Sequence, residues 1–130
     1  MRRRHPQISS EAERAHRADV ELAGRREELL ASAKEAEDKF RQAQARRAPA
    51  AELRDLAEGL DAALTAAMRA AYAAQRAAIG PRGYDDRIYR RKARAKPAVH
   101  ALTAEAERLL TLRETHRLND IPAEPLEPAL

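Results

Sequence analysis

The 130-residue sequence contains no cysteine and no tryptophan, and it has only one phenylalanine, three tyrosines and four glycines. Without cysteine the chain has no disulfide, no thiolate metal ligand and no thiol nucleophile. No apolar run approaches the 18 residues that a transmembrane helix requires. The basic N-terminal stretch lacks the apolar segment of a secretory signal. We therefore expect no membrane partner, and either a cytoplasmic location or a place in a particle that assembles inside the cell.

Large apolar side chains are also scarce. Leu, Ile, Val and Phe together account for 21 residues, whereas alanine alone accounts for 31. Ala, Glu, Lys, Leu and Arg make up 84 of the 130 residues, and such a composition is typical of long helices and coiled coils. Buried apolar area drives folding at about 25 cal/mol per Å². A core of methyl groups is therefore thin, and such helices need close backbone approach, a partner, or both.

The first long helix is predicted at about residues 11–47. Ser10 followed by Glu13 has the pattern of a capping box, in which each side chain binds the other residue's free backbone N–H. No helix-breaking proline follows until Pro49. The helix would be longer than a compact domain of this size needs, because each residue adds about 1.5 Å.

Two further helices are predicted at about 49–79 and 97–118. Pro49 and Pro97 suit the first position of a helix. Gly80 followed by Pro81 is a strong stop signal after the second helix. The sequence thus predicts an all-α fold, in which 11–47 and 49–79 form a long antiparallel hairpin with coiled-coil-like packing. The alternative is one continuous helix kinked at Pro49.

Residue size supports the hairpin. If the chain reverses at Ala48, small side chains on one arm lie opposite large side chains on the other, for example Leu29 opposite Ala67. The one level at which two large side chains meet is Phe40 opposite Leu56. Alternation of size at facing positions is what interdigitated packing requires. The residues predicted to make this packing are Leu22, Leu29, Ala33, Ala36, Phe40, Leu53, Leu56, Leu60, Leu64, Ala67, Ala71 and Ala74.

The second half of the second helix is apolar nearly all round. Between Ala62 and Ile79 only Arg69 and Arg76 carry charge. A helix of this kind is normally buried, and one neighbouring helix covers one side only. The sequence therefore predicts a second cover, which is either the third helix or a neighbouring subunit.

Charge divides the chain into an arm, a body and a tail. Residues 1–10 form a basic arm, and residues 82–97 hold seven bases and two acids within the helical domain 11–118. The segment 98–130 is acidic, and its last part, 119–130, is a proline-rich tail that we expect to be extended. The basic connector 82–97 is either irregular or contains a short helix. Asp85 and Asp86 fit a helix cap better than a metal site.

No catalytic signature is present, so the sequence predicts that the protein is not an enzyme and binds no metal, cofactor or small molecule. The four histidines lack metal-site spacing. Glu13 and His16 match one half of a di-iron motif, but such sites need two copies and further carboxylates. Surface residues in a charged first turn explain that pair better.

The leading hypothesis is a non-enzymatic structural or adaptor subunit that assembles by helix packing, as a homo-oligomer or in a larger complex such as a virion or another large particle. The overlong helix, the all-round apolar helix, the thin core and the charged ends favour it. In this hypothesis the connector is solvated and its bases meet acids such as Glu105, Glu107 and Glu114, or those of an acidic partner.

The alternative hypothesis is nucleic-acid binding by the connector and the N-terminal arm. Arginine and lysine would contact phosphates, and Tyr84 and Tyr89 would offer rings on which bases stack. The candidate residues for nucleic acid or an acidic partner are Arg2, Arg3, Arg4, Arg87, Tyr89, Arg90, Arg91, Lys92, Arg94 and Lys96.

Overall fold

The computed structural model describes residues 7–121, and every regular element in this range is helical, as the sequence predicted. The helices are α1 (Ser10–Ala23), α2 (Arg26–Ala45), α3 (Ala50–Ile79), α4 (Arg82–Asp85), α5 (Arg87–Ala93) and α6 (Pro97–Asn119). The predicted basic arm, apart from its last four residues, and most of the predicted tail lie outside the described residues.

The first predicted helix is divided into α1 and α2 at Gly24 and Arg25, so a continuous helix over 11–47 was wrong. The N–H of Gly24 still donates to the Val20 carbonyl at 3.0 Å. The N–H of Arg25 instead reaches back only three residues, to the Leu22 carbonyl at 3.0 Å. Such a bond tightens the turn. Glycine disfavours a helix interior by about 1 kcal/mol relative to alanine, which explains why the change occurs here.

The cap of α1 is Ser9 and not the predicted Ser10. The Ser9 hydroxyl oxygen accepts from the Ala12 N–H at 3.1 Å. The Asp85 carboxylate accepts both from the Ser9 N–H, at 2.8 Å, and from its hydroxyl, at 2.9 Å. The predicted capping box of Ser10 and Glu13 therefore does not form, and the carboxylate that binds the N–H of the cap residue comes from Asp85, 76 positions along the chain.

A compact turn joins α2 to α3. Arg47 lies in the left-handed region with φ 54°, and the N–H groups of Arg47 and Ala48 donate to the carbonyls of Gln44 and Ala43. This pair of bonds is the Schellman arrangement that closes helix C-termini. Pro49 follows in an extended conformation and precedes α3, whereas the sequence had placed it as the first helical residue.

The contacts show that α3 runs opposite to α1 and α2. Arg46, just after α2, pairs with Glu52 in the first turn of α3. Asp19 in α1 pairs with Arg76 near the end of α3. The individual facing levels, such as Leu29 opposite Ala67, stay predictions, although both residues belong to the same core region.

The third predicted helix, which is α6 in the structure, covers a second face of α3. It was one of the two covering elements that the sequence predicted. The amide of Gln75, itself buried, donates to the Thr103 hydroxyl at 2.8 Å. At the other end, Arg117 pairs with Asp61 at 2.6 Å. α6 is therefore antiparallel to α3, and α3 lies at the centre of the fold in contact with α1, α2, α4 and α6.

The core is small and rich in alanine. Leu60 is the largest side chain with almost no exposed surface, and Ala67 has none. Among the predicted packing residues, Leu22 and Ala74 are only half-buried and lie outside the main cluster. The buried residues of that cluster are Ala33, Phe40, Ala57, Leu60, Leu64, Ala67, Ala71, Ala106 and Leu109, and the predicted residues Leu29, Ala36, Leu53 and Leu56 pack against it.

Candidate interaction surface at the α4–α5 corner

The basic connector folds into α4 and α5, which form a corner at the end of α3. Gly80 has φ 96°, a left-handed value that favours glycine, and it ends α3 as the sequence predicted. Gly83 lies against α3 so closely that a Cβ placed on it would be 2.4 Å from Cγ2 of Ile79. Glycine at position 83 is therefore required for α4 to pack on α3.

Asp19 ties this corner to α1 and α3. Its carboxylate accepts from Arg76 at 2.8 and 3.0 Å and from the Tyr84 hydroxyl. Burial opposes ionisation of Asp19, but the hydrogen bonds from Arg76 and Tyr84 outweigh it and hold the pKa of Asp19 below its usual value. Burial and the bond to Asp19 raise the pKa of Tyr84 well above that of a free tyrosine. The His16 ring packs edge-on against Tyr84, with ring centroids 6.2 Å apart.

Two carboxylates close the rest of the corner. Asp85 binds Ser9, as described above. Asp86 caps α5 by accepting from the Tyr89 N–H at 2.9 Å, the role predicted for this acidic pair. That bond lowers the pKa of the Asp86 carboxyl. Arg82 lies 3.4 Å from Asp86 and 4.6 Å above the Tyr89 ring.

An open cleft of about 610 Å³ lies between the start of α1 and this corner. Two exposed isoleucines contribute its apolar surface: Ile88 is 69% exposed and Ile8 is 37% exposed. Arg87 and Arg91 contribute cationic groups. The residues that line it are Gln7, Ile8, Arg82, Asp85, Asp86, Arg87, Ile88 and Arg91.

The predicted site residues do not all face solvent. Arg90 is half-buried and donates to the Gly83 carbonyl at 3.0 Å, so it supports the corner. Tyr89 packs against the cluster that contains Ile79, and Arg82 lies over its ring. Neither Tyr89 nor Tyr84, whose hydroxyl binds Asp19, is therefore a free stacking surface.

Five of the predicted bases are exposed and form no ion pair within residues 7–121: Arg87, Arg91, Lys92, Arg94 and Lys96. Arg2, Arg3 and Arg4 lie outside the described residues. Two of the three acids expected to pair with the connector instead pair with arginines outside it: Glu105 with Arg26 at 3.0 Å and Glu114 with Arg113 at 2.9 Å. Within residues 7–121 the bases of the connector form no ion pair with Glu105, Glu107 or Glu114, and neutralisation by an acidic partner stays a prediction.

A buried histidine at the opposite end of the bundle was missed by the sequence analysis. His116 lies between α3 and α6, with Nε2 2.7 Å from the Ala57 carbonyl and Nδ1 2.9 Å from Asp120. Phe40 of α2 meets the ring edge-on at 5.6 Å between centroids. Because all polar capacity of the ring is used by the protein, this residue belongs to the packing of three helices.

Within residues 7–121, no three His, Asp or Glu side chains converge as metal ligands would. The Nε2 of His16, half of the pair considered above, lies 3.2 Å from the Ala77 carbonyl. None of the helices described is both long enough and apolar enough to cross a bilayer.

Comparison of the chain with protein-family models, with curated proteins and with solved structures yields no significant match.

Proposed function

We propose that the chain is a non-enzymatic structural or adaptor subunit that assembles through its helices into a larger protein complex, such as a virion or another large particle. The observation that carries this proposal is the cleft at the α4–α5 corner. It combines exposed apolar surface at Ile88 with the cations of Arg87 and Arg91 on a frame held by Asp19 and Asp85.

Exposed apolar side chains elsewhere support assembly. Because α6 already covers the second face of α3, the partner surface must lie outside the central helix. Leu118 is 84% exposed at the end of α6, and Ile88 is 69% exposed at the other end of the molecule. Val20 and Leu112 are also exposed.

We further propose that the two arms of the hairpin pack in the coiled-coil-like register predicted from the sequence.

Sedimentation velocity over a range of protein concentrations tests the proposal. We expect species larger than the monomer, and we expect Ile88→Ser and Leu118→Ser to shift the distribution toward the monomer. Ala62→Ser is the matched control, because Ala62 is exposed on α3 and has a small side chain. A wild-type chain that stays monomeric at every concentration and captures no protein partner would contradict assembly.

Nucleic-acid binding is a second candidate. It is favoured by the five basic side chains on and after α5 that form no ion pair with any other residue of 7–121. Each phosphate that a cation neutralises adds about 0.9 to the dependence of log K on log salt for duplex DNA. Arg87→Ala together with Arg91→Ala should therefore lower that slope, whereas Arg69→Ala with Arg108→Ala, both exposed on other helices, should not. No retention of DNA or RNA at about 50 mM salt rules this candidate out.

A further inference from the structure

We propose that the cleft at the α4–α5 corner binds the acidic, proline-rich tail, residues 119–130, of a second copy of this chain. The inference rests on the proposed assembly function and names the contact that would produce it. It follows from the charges of the cleft, from the chemistry of the tail, and from the distance between them.

The cleft has a net cationic character despite its two aspartates. Asp85 is occupied by the N–H and hydroxyl of Ser9. Asp86 is occupied by the Tyr89 N–H and by Arg82. Arg87 and Arg91 keep their positive charge without a carboxylate partner among the described residues. A ligand for this cleft should therefore carry carboxylates next to an apolar side chain that covers the two isoleucines.

The tail has this composition. Residues 119–130 read NDIPAEPLEPAL, with three acids, no lysine and no arginine. Asp120 already binds His116 and Arg41, so Glu124 and Glu127 are the acids that remain. Leu126 lies between them in the sequence. The segment includes three prolines, and because each proline has a fixed φ angle, a chain that contains them loses less entropy on binding.

Glu124 and Glu127, the acids that the cleft would bind, fall short of the cleft of their own chain. The contact of His116 with Ala57 places the end of α6 beside the start of α3. The cleft lies past the opposite end of α3, and the 22 residues from Ala57 to Ile79 rise about 33 Å. Glu127 is six residues beyond Ile121 and extends at most about 21 Å from it. The contact must therefore join two molecules.

A contact between one end of a molecule and the other end of the next is heterologous, so it produces a closed ring or an open chain of subunits. Among residues 7–121, the two most exposed large apolar side chains, Ile88 and Leu118, lie at these two ends. Leu118 directly precedes the tail and would extend the apolar contact on the neighbouring molecule. This arrangement explains why both remain uncovered in a single copy.

Charge reversal tests the contact in the full-length chain. The tail variant combines Glu124→Arg with Glu127→Arg, and the cleft variant combines Arg87→Glu with Arg91→Glu. Each alone should weaken self-association at low salt by at least about tenfold, because like charges then face each other. Mixing the two variants should restore association, since the unchanged acidic tail of the cleft variant meets the unchanged cleft of the tail variant and the basic tail meets the acidic cleft. Arg69→Glu with Arg108→Glu is the control for the cleft variant, with the same change in net charge, and should leave association unchanged.

Three results would overturn the inference. Self-association that neither variant changes would leave the assembly function in place and exclude this contact. Failure of the mixture to associate, with both variants folded by circular dichroism, would show that the charges do not meet. A cleft variant that loses binding to an oligonucleotide while keeping self-association would assign the cleft to nucleic acid.

Discussion

The facing level of Leu29 and Ala67 offers a test of the packing inside the hairpin. Ala67 has no exposed surface, so Ala67→Leu forces three extra carbon atoms into an occupied space. Overpacking of this kind costs about 1–3 kcal/mol, and full burial places the expected loss near the upper end. Leu29→Ala removes the same three carbons from a partly buried position and should cost about 2 kcal/mol.

The double variant distinguishes the predicted register from any other. If Leu29 and Ala67 face each other, exchanging the large and the small side chain fills the space left by one with the other. The double variant should then be at least about 1 kcal/mol more stable than the sum of the two single losses. Leu53→Ala with Ala67→Leu is the control, because those residues are 14 positions apart on one helix and their effects should add.

Urea unfolding followed by circular dichroism measures these free energies. In a domain of this size each kcal/mol also changes Tm by about 3–5 °C, so thermal melts provide a second readout. Ala62→Leu, at an exposed position of α3, should change stability by less than about 0.5 kcal/mol. Strict additivity of Leu29→Ala and Ala67→Leu would refute the predicted register. A neutral Ala67→Leu would show that the centre of α3 is not closely packed.

Three further changes probe two polar contacts and the close contact of Gly83 with Ile79. His116→Phe keeps an aromatic ring but removes one hydrogen-bond partner from the Ala57 carbonyl and one from Asp120, which keeps its contact with Arg41. It should cost about 1–3 kcal/mol in urea unfolding, because each lost hydrogen bond contributes about 0.5–1.5 kcal/mol. Equal stability would contradict the packing role. The pKa values of Asp19 and Asp61 are lower than usual in the folded protein. Their ionised forms therefore stabilise the fold above about pH 4, and this contribution is lost as the pH falls. Asp19→Asn should flatten the acid limb of a stability–pH curve, and an unchanged limb would exclude the contribution. Gly83→Ala should push α4 away from Ile79 and increase protease cleavage at the corner, whereas unchanged cleavage would refute the close contact.

The sequence predicted those features that depend on local pattern. Pro49 with the preceding turn, Gly80 with Pro81, and Pro97 marked the ends of the long helices to within one or two residues. The nearly uncharged second half of α3 predicted that a second element covers this helix, and α6 is that element. The Asp86 cap could also be predicted from the sequence, because the side chain of a cap residue accepts from the backbone N–H two or three positions further along.

Contacts between distant residues could not be read in this way. Ser9 rather than Ser10 caps α1, and its N–H and hydroxyl bind Asp85, which is 76 residues further along the chain. Arg90 and Tyr89 were predicted to face a ligand, but their side chains turn inward to Gly83 and Ile79. Within a run of basic residues, pattern alone does not reveal which side chains support the fold. The single isoleucine in that run, Ile88, was the one available signal for the cleft.

The alanine-rich core makes these polar contacts more consequential than they would be in a core of leucine and isoleucine. Methyl-sized side chains permit close approach of helices but distinguish weakly between neighbouring registers, because sliding one alanine face along another changes little buried area. Paired polar groups do distinguish them, since a shift leaves a buried group unpaired at a cost of about 1–3 kcal/mol. Gln75 with Thr103 fixes α6 on α3, His116 fixes the opposite end, and Asp19 fixes the corner. The position of the cleft relative to the end of α6 therefore depends on a few hydrogen bonds, and Asp19→Asn should weaken the proposed assembly although Asp19 does not line the cleft.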